Sequence, residues 1–597
     1  MSSRPVRLFL QRALVAALVA SVSLASPLAQ APPRGATPAD ASRGDGPAVR
    51  LVLLVAVDQF RPDYLSRFGA HAAGFHTLLT RGAVFTSAYL EHGTTVTAVG
   101  HATMLTGATP AVSGIIENAW YERSTKTTVE SITDKGEQIV GGPTPAVGGA
   151  SPRRLLVPTL GDQIKLASAA PAGSPQRPRV IGISLKDRSS ILPAGHAADA
   201  AYFFRGGRFV TSTYYRPDLP AWVEAINTRR VPDTYAGKQW TFPGGTHAYP
   251  ADPGAALDSA VTASPAGNEL VLAMATAALE HEQLGQRGVT DVLTVSFSSN
   301  DSVGHNYGPE SPEVRDMVRH TDRQLQSLFE EVDRRVGLSH TLIAFTADHG
   351  VAPSPETLAA LRIPGGRFPA ATVYSAIEAA LVEKFGAGPW IEKASLPGIY
   401  LDHALIASRG VDAAEVRRVA AEAVARVPHV ARVYTRDAIL TGAVPREFIS
   451  ERITRGYHRD RSGDLHVLLE PHWIAAAAGA THGTPYGYDA HVPLILMGVG
   501  IEPGTYRDQV ALHDLAATLA AVVGVEPPSG SQGRVLTEAL HRGQPTARPA
   551  LNHTVGTRPS GSHQKAAPCS RCRTPSSCTS ATWRNASFAR PARAGRT

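Results

Sequence analysis

Residues 49–58 read VRLVLLVAVD, a nearly unbroken apolar run, rich in β-branched side chains, that stops at Asp58. A run without polar and apolar alternation predicts a strand buried on both faces, as in a parallel sheet covered by helices. The pattern recurs in RVIGISL (179–185), VTDVLTVSF (289–297), HTLIAFTA (340–347) and VPLILMG (492–498). Helical periodicity fills residues 62–82, 312–337 and 510–525 between them. Strands alternating with helices predict an α/β fold with a central, mostly parallel sheet covered on both faces. Two long stretches, 121–178 and 351–480, break the alternation and read as inserted cap elements that shape a substrate site.

Both ends of the chain differ from this body. Arg4, Arg7 and Arg12 precede an apolar run from Ala13 to Ala25 and the small-residue pattern Ala29-Gln30-Ala31. This reads as an export signal over residues 1–31, because the run is too short for the ~20 residues that span a bilayer. It implies a periplasmic or secreted protein with no stable membrane anchor after cleavage. A Pro/Gly/Ala linker (32–48) leads into a catalytic domain expected over 49–545, and residues 546–597 read as a disordered basic tail.

The net charge of +7 suggests a nucleic-acid partner only until it is located. Residues 1–31 and 551–597 together carry eleven basic residues and no acid; the remaining 47 Lys and Arg face 51 Asp and Glu. The body is slightly acidic, so it has no nucleic-acid footprint. All three cysteines, Cys569, Cys572 and Cys578, lie in the tail, so the body holds no disulfide and is stabilised by its core or by metals.

Ligands of an open α/β sheet sit beyond the carboxyl ends of its strands. The first strand ends at Asp58, the third leads into SSNDSVGHNYG with Asp301 and His305, and the fourth ends at Asp348-His349-Gly350. ATHGTPYGYDAH, before the last strand, adds His482, Asp489 and His491. Carboxylate with imidazole suits zinc, and six or seven such groups suit two ions, the arrangement used for displacement at phosphorus. A hydroxyl activated by a divalent cation at a helix N-terminus is a competent nucleophile, and HGTTVTAVGHATMLTG (92–107) offers five threonines beside a helix start.

With these motifs in order over residues 51–525, the chain resembles the alkaline phosphatase superfamily, in its phosphodiesterase/nucleotide pyrophosphatase-like division. It is most similar to the phosphate-irrepressible, PafA-like monoesterases. The resemblance implies the alkaline-phosphatase fold and picks Thr97, four residues before His101, as nucleophile; Thr94, Thr95, Thr103 and Thr106 then serve as local caps and packing. It assigns Asp58, Asp348 and His349 to the Zn2+ that also binds Thr97, and Asp301, His305 and His482 to a second Zn2+, with His491 supporting the loop. Lys186 and Arg188, two apart at a strand end and so expected on one face, match the pair that contacts phosphoryl oxygens in the monoesterases. Asn118 matches an amide donor to the same oxygens.

The implied activity is hydrolysis of small phosphate monoesters through a phosphothreonine, in an exported two-zinc enzyme. A phosphodiesterase or nucleotide pyrophosphatase on the same scaffold stays open, as does a non-catalytic exported metal- or phosphate-binding protein. Sulfatase chemistry needs a C/S-x-P-x-R motif, whose one match, Ser3 to Arg7, falls in the export signal. A serine phosphatase with a third, magnesium site is disfavoured by the threonine and by Lys186 and Arg188.

Overall fold

The computed structural model describes residues 49–541, except Ala70 and Ala172. The expected export signal, linker and tail lie outside the described residues.

An 11-stranded sheet forms the centre. Its main strands are β1 (Leu51–Val57), β2 (Gly82–Tyr89), β3 (Val180–Ser184), β4 (Ala200–Arg205), β5 (Arg208–Ser212), β6 (Asp291–Phe297), β7 (Thr341–Thr346) and β8 (His491–Gly498). They lie in the order β2-β8-β7-β1-β6-β3-β4-β5, with short strands added at both edges. The run β7-β1-β6-β3-β4 is parallel throughout, and every residue of β1, β6 and β7 is buried. That two-sided burial is why these strands carry no polar alternation.

The sheet is only mostly parallel: β8, the VPLILMG strand, runs antiparallel to both β7 and β2. The reversal matters for the site. Leu494 near the start of β8 pairs with Thr346 at the end of β7, so the loop before β8 emerges at the same edge as the carboxyl ends of the parallel strands.

Two predicted helices are shorter than their periodicity. The pattern at 62–82 splits into Tyr64–Arg67 and Gly74–Arg81, interrupted after Gly69 takes a left-handed φ of 101°. The pattern at 510–525 opens as a strand, Val510–Ala511, pairing with β2; its helix, Asp514–Val523, starts where the Asp514 carboxylate accepts the Ala511 N–H. One sheet face packs against Gly74–Arg81, Pro265–His281 and the 24-residue helix Pro312–Arg335. The other packs against α1 (Thr97–Thr106), α2 (Asp187–Ala194), Leu160–Ala167 and Asp514–Val523. Leu160–Ala167 joins this main core through Leu160 and Ile164, although it falls in the stretch read as an insertion.

Within 351–480 the chain builds a four-stranded antiparallel sheet of Ile391–Ser395, Gly398–Leu401, Leu465–Leu469 and Val430–Thr435. Helices Ala371–Phe385 and Ala413–Val424 pack on it around Ile377, Trp390, Ile399, Val416 and Leu465, a core separate from that of the main sheet. This cap is tied to the hairpin Ala119–Glu130 by one buried carboxylate. Asp464 accepts from Arg123 Nη2 at 2.9 Å and from the Leu401 amide at 3.0 Å, and lies 2.9 Å from His403 Nε2 and 3.4 Å from Arg417 Nη1.

Burial alone would raise the Asp464 pKa; the His403 hydrogen bond and the Arg123 charge outweigh it and hold the carboxyl at about 2. A lowered pKa means that this stabilisation is present above the ordinary carboxylate range and is lost as pH falls from about 4 toward 2. Asp464→Ala leaves Arg123 and Arg417 without it and is expected to destabilise the protein by about 3 kcal/mol in urea denaturation at neutral pH, the wild-type advantage shrinking over that acid window.

Candidate metal-dependent active site

Strand register creates the site. Ala56 of β1 pairs with Ser296 of β6 and with Thr346 of β7, so the three strands end level. Asp58, Asp301 and Asp348 follow within four residues of those ends, and Lys186 follows β3 by two. His305 lies one helical turn after Asp301 in α3 (Ser299–Tyr307), the i,i+4 spacing that puts both on one face; Nε2 is 3.2 Å from Asp301 Oδ1. His482 arrives on the loop before the antiparallel β8, its Nε2 3.2 Å from His305 Nε2 and its ring stacked on His349 with centroids 3.6 Å apart.

Two groups of possible metal-ligand atoms result. One is Asp301, His305 and His482; the other is Asp58, Asp301 and His349. Asp301 is shared between them, whereas the sequence reading paired Asp58 and His349 with Asp348. Asp348 lies beside that second group: its Oδ2 is 3.4 Å from His349 Nε2 and 3.2 Å from His101 Nδ1, and its Oδ1 accepts the amides of Gln59 and His349.

The chemistry of these groups fits a bound cation. Asp58 Oδ1, Asp348 Oδ2 and His349 Nε2 are buried without a hydrogen-bond partner. Three buried carboxylates meet one ammonium, Lys186 Nζ, which donates to Asp58 Oδ2 and Asp301 Oδ2 at 2.6 Å each. Burial and the neighbouring Asp348 charge push the Asp58 pKa well up. For Asp348 and Asp301 burial is again the largest influence, yet the net shift is downward, set by His349 and His101 for the first and by Lys186 for the second. Burial lowers the His349 pKa to about 3, keeping the imidazole neutral as a metal ligand must be. His305 and His482 aim Nε2 inward because Nδ1 of each meets a backbone carbonyl, of Ala480 at 2.7 Å and of Thr95 at 2.8 Å.

Thr97 is the first residue of α1 and is buried. Its hydroxyl lies 3.5 Å from Lys186 Nζ, at a helix N-terminus whose free amides favour an anion. Asn118 is on the adjoining loop; its Oδ1 accepts the Ala98 amide at 2.8 Å, which orients its NH2 as a donor. Thr103 and Thr106 are engaged locally, with Val99 O and Ala102 O, and Thr94 takes a left-handed turn; Thr95, expected as a local cap, instead donates to Thr484 O on the loop before β8. His491 stays outside, stacked on Tyr89 with Nε2 3.0 Å from Thr86 O.

The expectation for Lys186 and Arg188 needs correction. β3 ends at Ser184, Lys186 is the N-cap of α2 and Arg188 is in its first turn, so the two do not share a strand face. Asp187, an acid well placed in a helix first turn, starts the helix there. Lys186 turns onto the carboxylates; Arg188 stays apart, 3.8 Å from Asp187, its charge acting on Lys186 and Glu117.

Sequence reading missed the supports. His101, used only as a marker for Thr97, is fully buried, with Nδ1 2.9 Å from Thr97 O and Nε2 2.8 Å from Ser296 Oγ, and so braces α1 against β6 beside Asp348. Gln59 takes a left-handed φ of 59° and spans both groups, its amide on Asp348 and its Nε2 on Asp301. Gly100 is required by contact: a Cβ there would collide with the Asp348 carbonyl. No local pattern marks it, because the collision is with residue 348, far away in sequence.

Residues 52–489 match the family described as type I phosphodiesterase / nucleotide pyrophosphatase. Alkaline phosphatase PafA of Elizabethkingia meningoseptica is 34% identical over 531 residues, covering 83% of this chain and 95% of that protein. A Myroides odoratus protein named calcium-transporting ATPase matches with the same identity and coverage. The crystal structure of wild-type PafA aligns with a TM-score of 0.76 at 33% identity, covering 83% of this chain and 99% of that one.

Gly100→Ala must push α1 away from the Asp348 backbone. Because displacement of a reacting group by about 1 Å costs on the order of 10²-fold, kcat/KM on p-nitrophenyl phosphate is expected to fall at least that far while circular dichroism stays close to wild type.

Proposed function

The chain belongs to the type I phosphodiesterase / nucleotide pyrophosphatase family, and on that premise we propose that it is an exported, PafA-like alkaline phosphatase that hydrolyses phosphate monoesters through a covalent phosphothreonine at Thr97. The observation that carries the reading is the gathering of Asp58, Asp301, His305, Asp348, His349 and His482 around one edge of the sheet, with Lys186 reaching both their carboxylates and the Thr97 hydroxyl.

Asp58, Asp348 and His349 would hold one Zn2+ and Asp301, His305 and His482 the other. Ions there supply the positive charge that makes the attacking hydroxyl acidic and stabilises the departing oxygen. The rest is done by the chain. Thr97 Oγ attacks phosphorus from the N-terminus of α1, forming the Oγ–P bond as the bond to the alcohol oxygen breaks and the alcohol leaves. Water then attacks the phosphothreonine on the opposite side, releasing inorganic phosphate and restoring the hydroxyl. Asn118 NH2 and the cations Lys186 and Arg188 bind the non-bridging oxygens, where a monoester dianion concentrates its charge. These cations support monoesters over the diesterase alternative, which shares the metal ligands and nucleophile. The phosphatase and ATPase names of the two relatives meet in one chemical act, release of a terminal phosphoryl group.

Thr97→Ala is expected to lower kcat on p-nitrophenyl phosphate by about 10³-fold or more, and acid quenching of the wild type during turnover to leave phosphate on the Thr97 peptide in mass spectrometry. Near-normal turnover by that variant would overturn the nucleophile assignment. Lys186→Ala is expected to lose about 10²- to 10³-fold on the monoester and little on bis-p-nitrophenyl phosphate. Two equivalents of zinc are expected by elemental analysis, with chelation lowering the thermal midpoint as well as activity.

A further inference from the structure

Between the cap sheet and the start of α1 lies a cleft of about 360 Å3 that reaches His482. Val96 forms its wall on the catalytic side; Leu396, Pro397, Leu469, Trp473 and Ile474 form the wall from the cap. The Trp473 indole is stacked on His429 at 3.4 Å between ring centroids, which fixes it as a flat surface. A second cavity of about 210 Å3 adjoins it, sharing Glu117, Pro397 and His466 with the first. The carboxylates lining the inner cleft are Glu117 and Asp489, and no Lys or Arg lines it. Lys186 and Arg188 lie outside this lining, on α2 and its N-cap, although the Arg188 charge acts on Glu117, and Lys393 lines the second cavity.

This distribution separates the two halves of a substrate. The phosphoryl group being transferred meets cations; whatever leaves toward His482 meets apolar carbon and two carboxyl groups, with no Lys or Arg in the lining. An apolar alcohol gains by leaving water for such a wall, whereas an anionic leaving group must shed its hydration against apolar carbon in a cleft lined by no Lys or Arg. We propose that this cleft is the leaving-group subsite, that it selects monoesters of uncharged, apolar alcohols with a flat ring, and that it disfavours nucleoside triphosphates and other polyphosphates. The proposal rests on the phosphomonoesterase reading and assigns the cap a task in it.

The test compares kcat/KM of the zinc-loaded full chain on 2-phenylethyl phosphate, ethyl phosphate and ATP, the first two having alkyl leaving groups of similar intrinsic reactivity. Phenylethyl phosphate is expected to exceed each of the others by on the order of tenfold. Trp473→Ala is expected to remove about tenfold on phenylethyl phosphate while ethyl phosphate stays within about twofold, and Trp473→Phe to keep most of the preference. Leu469→Lys, which puts a cation in the wall, is expected to raise ATP relative to phenylethyl phosphate. Equal losses on both alkyl esters in Trp473→Ala, or ATP used as well as phenylethyl phosphate by the wild type, would overturn the subsite. Wild-type turnover of ethyl phosphate without any discrimination overturns the subsite alone; no turnover of any of the three overturns the catalytic reading with it.

Discussion

The level ending of three adjacent parallel strands is the constraint on which the site depends. β1, β6 and β7 are held in register by their own ladders, with Ala56 opposite both Ser296 and Thr346. Each strand then releases an aspartate into the same small volume. A shift of one residue in any of these ladders would exchange the side chains packed on the two buried faces and also move a carboxylate by about 3 Å. The hydrophobic core therefore enforces the geometry of the polar site, and no feature of the site itself has to provide that precision.

Gathering those carboxylates opposes folding. Each is drawn from water: burial and the Asp348 charge push the Asp58 pKa up, while His349 and His101 outweigh burial and bring that of Asp348 down. Lys186 offsets part of the charge, and His101, Gln59 and the His349 amide hold Asp348 in place. The surrounding scaffold consequently spends backbone freedom here: Gln59 sits in the left-handed region, and Gly100 lets α1 approach the Asp348 backbone. A divalent cation would convert this conflict into attraction, so metal affinity and stability are coupled through the same atoms.

The sequence made the parallel core legible because burial on both faces removes the polar alternation, and β1, β6 and β7 fall where VRLVLLVAV, VTDVLTVSF and HTLIAFTA predict them. It did not reveal the direction of β8, since an apolar run carries no mark of its neighbour's polarity. Asp58, Asp301 and His305 were legible from the strand-end rule, and the i,i+4 spacing of the last two gave them a common face. Thr97 was not separable from its four neighbouring threonines by composition, only by family resemblance. Lys186 and Arg188 were placed on a strand that had already ended, because the helix-starting role of Asp187 was overlooked. His101 and Gln59 act through contacts with residues 296, 301 and 348, and such partnerships leave no local pattern.

The order in which the antiparallel β8 returns to the sheet has a temporal meaning. His482 touches Thr95 across 387 positions and His305 across 177, so the group of Asp301, His305 and His482 is incomplete until almost the entire domain has been made. A chain stopped short of that loop, however well its first strands had paired, would own Thr97 and most of the candidate ligands yet lack the last one. A cation held there would close the polypeptide upon itself from its far end.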